Sequence, residues 1–251
     1  MPPRGVQSRI ASATSATGFT GSEREFWWDD LERLLLLPGR LPERLRLRIG
    51  PILHEWHLGE AAEYGEATGR LHEDWNIEMT HDPTPRHRAY RDLCRLLRGI
   101  TAEERLRALD ALSAMSHVAA AGRSTHRALS SDGLVRLIDG GVVDVGAHSV
   151  THSTLSALPI AAQRSEIAQS RARLREITRR EVTSFAYPFG GRTDYGSSTV
   201  ALVRQAGFGS ACSNRPGRVR RQTDLFQLPR VLVRDWDADT FVSHLREWLG
   251  P

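Results

Sequence analysis

The chain has 251 residues, of which 40% are hydrophobic and 25% are charged, and its formal net charge at pH 7 is +4. This length accommodates one large domain or one domain with a long insertion, and the absence of any run of about 18 apolar residues excludes a membrane-spanning helix. All 34 basic residues are arginine. They alternate with acidic residues and form no basic stripe, so the positive charge does not predict binding to nucleic acid.

Residues 1–20 are small and polar, show no regular period, and are predicted to be a poorly ordered tail. They contain no apolar stretch of roughly 7–15 residues of the kind found in secretory signals, so we expect a cytoplasmic protein. Cys94 and Cys212 are far apart in the sequence. They provide neither a disulfide framework nor a paired metal-ligand motif, which agrees with a reducing compartment.

Residues 21–127 are predicted to be a mostly helical region. A first helix begins near Glu25, with acidic residues in its first turn and leucines on one face. The alternating residues 45–50, LRLRIG, predict a short strand.

Two further helices of this region carry clear start signals. The first is predicted over 84–99, with Thr84 as its N-cap and Pro85 at the first helical position. The second begins at Thr101, which forms a capping box with Glu104.

From residue 128 to residue 251 the pattern changes to alternating helices and strands, which predicts a parallel sheet or a barrel wall. The predicted helices span 130–141, 158–177, 199–208 and 238–250, and the predicted strands span 142–148, 182–190, 209–214 and 225–233.

The stretch GAHSVTHSTLS, residues 146–156, places two histidines four residues apart directly after a predicted strand. Functional side chains of α/β folds gather at the carboxyl edge of the strands, so His148 and His152 can reach one divalent cation such as zinc. The spacing is also compatible with two histidines that only cap and pack the end of the strand.

Residues 130–235 resemble the polysaccharide deacetylase family of carbohydrate esterases, through GAHSVTHSTLS, SFAYPFG, AGF and LPR in that order. The segment REFWWDDLERLLL is similar to a helical insertion of one bacterial subgroup, and SATGF to the segment just before it. The resemblance implies that the metal ligands are His148 and His152. It implies that one wall of the substrate groove is Tyr187, Pro188, Phe189 and Gly190. Arg230 either orients a catalytic carboxylate or pairs with a surface acid.

In that family a first-strand Thr-Phe-Asp-Asp-Gly motif supplies the general base and the third metal ligand, and these 251 residues do not contain it. The pair Asp29-Asp30 is predicted to lie in an amphipathic helix as solvated, first-turn acids. Asp144 is four strand residues from His148, about 13 Å, which is too far to share an ion. Asp194 is predicted to be a solvated loop acid, the alternative being that it swings in toward the ion.

The sequence therefore predicts an α/β fold of the polysaccharide deacetylase type, an incomplete and distorted (β/α) barrel with a mostly helical insertion. The expected function is metal-dependent removal of acetyl groups from an N- or O-acetylated polysaccharide. The alternative is a truncated, non-catalytic remnant that binds a glycan or a partner. An unpaired strand at the edge of the sheet predicts self-association.

Overall fold

The computed structural model describes residues 11–116 and 122–250 of the chain. These residues separate into two compact units. The α/β unit consists of residues 11–20 and 130–250, and the helical unit of residues 21–116 and 122–129. None of the described helices is long and apolar enough to cross a bilayer.

The strands are β1 (Ala11–Ser15), β2 (Gly39–Arg40), β3 (Arg44–Ile49), β4 (Ile52–His57), β5 (Glu63–Tyr64), β6 (Val143–Ala147), β7 (Ser184–Ala186) and β8 (Ser210–Cys212). The helices are α1 (Trp27–Leu36), α2 (Glu66–Leu71), α3 (Pro85–Arg98), α4 (Ala102–Ser116), α5 (Ser131–Asp139), α6 (Ile160–Thr178), α7 (Ser197–Gln205) and α8 (Ala238–Leu249).

The α/β unit contains a four-stranded sheet in the order β1-β6-β7-β8, and all its neighbouring strands are parallel. Within the described residues the sheet is open, with β1 and β8 at its edges. The expected α/β class with a parallel sheet is therefore confirmed, and the open sheet agrees with an incomplete barrel. Its core is formed mainly by aliphatic and aromatic side chains, among them Leu134, Ile138, Val145, Ile167, Leu174, Phe185, Val203 and Phe208.

A glycine sets the close approach of the strands in the centre of this sheet. A Cβ on Gly146 would lie 2.6 Å from Oγ of Ser184 in β7 and 3.1 Å from Cγ2 of Thr14 in β1. The backbone oxygen of Ser184 would also lie 3.1 Å from that Cβ, so a larger residue would displace the Ser184 hydroxyl and shift its neighbours by a few tenths of an ångström. The end of β6, where the two histidines follow, thus has its position set from both sides.

The prediction of a poorly ordered tail is wrong for residues 11–20. Residues 11–15 form β1, which pairs with β6 in register from Ala11–Val143 to Ser15–Ala147. Residues 1–10 lie outside the described part of the chain. The run of small residues ASATS carries little strand signal of its own, and its hydrogen bonds to β6 are what make it a strand.

The strand predicted over residues 225–233 is also absent from the structure, which shows an isolated bridge between Leu228 and Cys212 there. Pro229 has no N–H to donate to a neighbouring strand, so the ladder cannot continue through it. The apolar run of this segment resembles a strand, but its backbone cannot complete one.

The helical unit confirms the helices predicted from their caps. In α3 the N-cap Thr84 accepts a hydrogen bond from the N–H of Arg86, and Pro85 is the first helical residue. In α4 the Thr101 hydroxyl accepts from the N–H of Glu104, whose carboxylate accepts from the N–H of Thr101. The alternating strand is confirmed as β3, which pairs antiparallel with β4 and buries every second residue.

Candidate functional site

The histidine pair lies in the loop that leaves the carboxyl end of β6. The N–H of His148 still bonds the carbonyl of Ser15 in β1 (3.0 Å), so its backbone continues the strand pairing. The loop then turns back, and the rings of His148 and His152 meet with centroids 4.6 Å apart at an interplanar angle of 79°. The structure therefore brings the two predicted metal ligands together.

His148 is held as a neutral imidazole with a defined tautomer. Burial lowers its pKa to about 4; the hydrogen bond to Ala186 opposes this effect, and the positive charge of Arg230 adds to it. Its Nδ1 lies 2.7 Å from the carbonyl oxygen of Ala186, which can only accept a hydrogen bond. Nδ1 must then carry the proton, which leaves the lone pair of Nε2 as the atom that can bind a metal ion.

The loop between the histidines has an unusual backbone. Ser149 and His152 both adopt left-handed conformations, with φ values of 62° and 53°. The fully buried hydroxyl of Ser149 accepts a hydrogen bond from the N–H of His152 (3.0 Å). This local bond closes the tight turn that carries His152 back toward the ring of His148.

The turn predicted as a groove wall lies next to the pair, and its residues have different environments. The ring of Phe189 is half-buried and packs edge-on against His152, with centroids 4.8 Å apart. Tyr187 and Pro188 are buried, so their side chains support the turn rather than face a ligand. Gly190 has φ of 71°, and a Cβ there would lie 2.7 Å from the backbone N of Asn214.

Tyr187 is fully buried in the core of the α/β unit. Its ring stacks on that of Tyr195, with centroids 3.9 Å apart, and its hydroxyl donates to the carbonyl of Phe226 (2.9 Å). Burial raises the pKa of this hydroxyl well above its ordinary value, so it remains a donor. Among the four residues of the turn, Phe189 is the one placed to contact a bound molecule.

Arg230 lies close enough to His148 to influence its charge. The Nε of Arg230 donates to the carbonyl of Ser213 (2.8 Å), which fixes the side chain beside the end of β8. The structure thus places a cationic group on the side of His148.

Among the acidic candidates, Asp194 and Asp30 are buried in polar contacts with neighbouring residues. Asp144 lies within β6, in register with Ser12 of β1. Asp194 is buried, against the expectation of a solvated loop acid, and its carboxylate accepts from the N–H of Gly191 (2.7 Å). Asp30 lies on α1 in the helical unit, where it is also buried and not solvated, because it bonds Arg33 at 2.7 Å.

Glu166 is the residue near the site that the sequence analysis missed. It lies on α6, and its carboxylate bonds the loop between the two histidines. Neither its spacing from His152 nor its position in the helix distinguishes it from the other acids of α6 in the sequence. The contact depends on how α6 packs beside β6.

The histidine pair fits a divalent ion as part of a ligand set. Two imidazoles are donors that suit zinc and similar ions, and the Nδ1 contact of His148 with the Ala186 carbonyl leaves its Nε2 as the acceptor. Catalytic zinc usually has three protein ligands. Within residues 11–116 and 122–250, no group of three or more His, Cys, Asp or Glu side chains is arranged to hold a metal.

Comparison with known proteins gives the same family as the sequence motifs. Residues 101–211 match the family model described as polysaccharide deacetylase. No curated protein sequence matches the chain significantly. The resemblance predicted from the histidine motif and the aromatic-Pro-aromatic-Gly turn is therefore confirmed over this range.

The chain is also similar to solved structures. A polysaccharide deacetylase from Bacillus cereus, BC0361, is 20% identical with a TM-score of 0.42 over 56% of this chain and 46% of that one. The Streptococcus pyogenes deacetylase PplD, solved with acetate, is 16% identical with a TM-score of 0.44 over 51% and 54%. IcaB from Ammonifex degensii is 22% identical with a TM-score of 0.41 over 51% and 56%. The match spans about half the length of each of these structures.

Proposed function

We propose that the α/β unit binds an acetylated amino-sugar glycan at the carboxyl end of its parallel sheet, because residues 101–211 match the polysaccharide deacetylase family model. His148 and His152 hold a divalent ion there, which we take to be zinc. The observation that carries this proposal is the neutral ring of His148, whose Nδ1 is engaged by Ala186 and whose ring meets His152 at 4.6 Å.

Each residue has a distinct part in this proposal. When bound, the ion would supply Lewis-acid polarisation of the acetyl carbonyl. The half-buried ring of Phe189 would form an apolar wall beside the acetyl group, since it packs on His152. The guanidinium of Arg230, fixed by Ser213, would place positive charge close to the same carbonyl.

Removal of an acetyl group needs a general base in addition to the ion, and such a base typically contributes roughly 10²- to 10⁴-fold in rate. In the described part of the chain, no carboxylate joins the histidine pair in a three-ligand group. This observation favours a second candidate function, binding of the glycan without turnover. A cytoplasmic location stays a prediction.

The experiment uses the purified chain with Zn²⁺ and N-acetylglucosamine oligomers. Calorimetry should give about one ion per chain for the wild type, and this binding should be lost in His148→Ala and His152→Ala. His57→Ala is the matched control, because His57 is 67% exposed on β4 in the helical unit. A wild-type chain that binds neither ion nor oligomer would overturn the proposal.

An acetate-release assay on the same samples separates the two candidate functions. Release of acetate that depends on both histidines would establish hydrolysis. Oligomer binding without acetate release would establish the binding function.

A further inference from the structure

Glu166, near the N-terminal end of α6, accepts hydrogen bonds from the loop that carries the histidines. Its Oε2 accepts from the backbone N–H of Val150 (2.8 Å) and of Thr151 (2.9 Å), and its Oε1 accepts from the Thr151 hydroxyl (2.8 Å). All three donors belong to Val150 and Thr151, two of the three residues between His148 and His152. Hydrogen bonds to a carboxylate are among the stronger kinds in proteins.

The opposite side of the loop is held by the chain that follows β1. The N–H of Thr17 donates to the carbonyl of Ser149 (3.1 Å), and the N–H of Gly18 donates to that of Val150 (2.8 Å). A Cβ on Gly18 would lie 2.8 Å from the Val150 oxygen, so the close contact between these two backbone segments requires glycine at position 18. The loop is thus fixed between a backbone segment and one acidic side chain.

This double support matters because the loop is strained. Left-handed backbone conformations are disfavoured for residues other than glycine and persist where the surrounding structure imposes them. Ser149 and His152 both have such conformations, and they flank the residues that Glu166 bonds. Without the carboxylate, the loop would relax toward ordinary backbone angles and His152 would leave its position against His148.

We propose that Glu166 is a positioning residue that sets the geometry of the His148–His152 pair for a divalent ion. The inference rests on the proposed metal-binding function. Glu166 does not contact the ion in this scheme. It acts through the backbone of Val150 and Thr151, as outer-shell partners of metal ligands do.

The test compares Co²⁺ binding by the full chain in the wild type and three variants. Glu166→Leu removes the acceptors and should weaken binding by about 10- to 100-fold, the usual effect of losing an outer-shell partner. Glu166→Gln should weaken it much less, since the amide oxygen can still accept from Val150 and Thr151. Glu176→Leu is the matched control, because Glu176 lies on the same helix, is 62% exposed and pairs with Arg173.

The outcomes separate this inference from the proposed function. Co²⁺ affinity in Glu166→Leu equal to the wild type, with a wild-type circular dichroism spectrum, would overturn the positioning role. If Glu166→Leu does not fold, Thr151→Val removes one of the three bonds and should weaken binding severalfold; unchanged affinity there would also overturn it.

A wild-type chain that binds no Co²⁺ would count against the proposed function. The positioning of the rings is then read directly by NMR, from the nuclear Overhauser contact between the His148 and His152 rings. Loss of this contact in Glu166→Leu, together with its retention in Glu166→Gln, would support the role of Glu166 in placing the loop. Full retention of the contact in both Glu166→Leu and Thr151→Val would overturn it.

Discussion

The Nδ1 atom of His148 lies 2.7 Å from the carbonyl oxygen of Ala186, a residue 38 positions later in the chain. This bond joins the loop after β6 to the end of β7, the next strand of the sheet. It fixes the orientation of the imidazole and leaves Nε2 as its acceptor atom. This hydrogen bond therefore couples the two motifs, one around each residue, in addition to the packing of Phe189 on His152.

We expect NMR of the ring nitrogens to show His148 as the Nδ1–H tautomer at neutral pH, because the Ala186 carbonyl can only accept. Burial lowers the pKa of His148 to about 4, so the ring should stay neutral down to about pH 5. Long-range ¹H–¹⁵N spectra report both properties. Detection of the Nε2–H tautomer would contradict the assignment of Nε2 as the metal-binding atom.

Arg86 is expected to be essential to the stability of the helical unit. Its buried guanidinium donates to the carbonyls of Leu35, Gly39, Ala61 and Ala62. Burial lowers its pKa to about 10, which leaves it charged at neutral pH. Arg86→Met would leave these buried carbonyl oxygens without their hydrogen-bond donor and should lower the free energy of unfolding by roughly 3–5 kcal/mol.

Urea denaturation measures this loss, with Arg88→Met as the control. Arg88 lies on the same helix and is 61% exposed, with its ion pairs on the surface. The substitution Arg88→Met should change the free energy of unfolding by about 1 kcal/mol or less. Equal effects of the two substitutions would show that the buried network contributes little.

His87 should make the helical unit less stable in acid. Burial lowers its pKa to about 4, and the nearby His72 adds to the effect while Asp82 opposes it. The unfolded chain then binds more protons between about pH 6.5 and pH 4, so stability falls as the pH falls through this window. Over this pH window the titration of His87 should lower the free energy of unfolding by up to about 3 kcal/mol.

The measurement is the free energy of unfolding of the wild type and of His87→Leu between pH 7 and pH 4. The variant should show a shallower loss of stability across this range. Parallel curves for the two proteins would mean that His87 titrates alike in the folded and unfolded states.

Two stacked tyrosines provide a matched pair of substitutions in the α/β unit. Tyr187→Phe removes the hydrogen bond to the Phe226 carbonyl and should cost about 1–2 kcal/mol of stability. Tyr195→Phe should be neutral or slightly stabilising, because its buried hydroxyl has no hydrogen-bond partner among the described residues. Thermal or urea unfolding compares the two. A larger loss of stability in Tyr195→Phe than in Tyr187→Phe would contradict the expectation that the Tyr187 hydroxyl contributes more to stability.

β1 should promote self-association through its outer edge. It pairs with β6, and the described residues place no second strand beside it. A charged side chain on an edge strand opposes edge-to-edge pairing, so Ser12→Lys should shift the chain toward monomer. Ser165→Lys, on the exposed face of α6, should leave association unchanged. Sedimentation velocity over a range of concentrations tests this, and a wild type that is monomeric throughout would refute it.

Much of the local structure follows from the sequence. Thr84 and Pro85 mark the start of α3, and Thr101 with Glu104 marks that of α4, because a cap and its partner are neighbours in the chain. The alternation in β3 likewise reflects a period of two that any half-buried strand must have. These signals are short-range, so no knowledge of the fold is needed to interpret them.

The sequence by itself indicated the family resemblance and the histidine pair, since both depend on residue types at short and characteristic spacings. The tertiary structure decided the rest. It made a strand of residues 11–15, buried Tyr187 and turned Phe189 toward His152. It also brought the carboxylate of Glu166 onto the histidine loop. These relationships arise when segments distant in the chain pack together, and hydrogen bonds between such segments leave no periodic trace in the sequence.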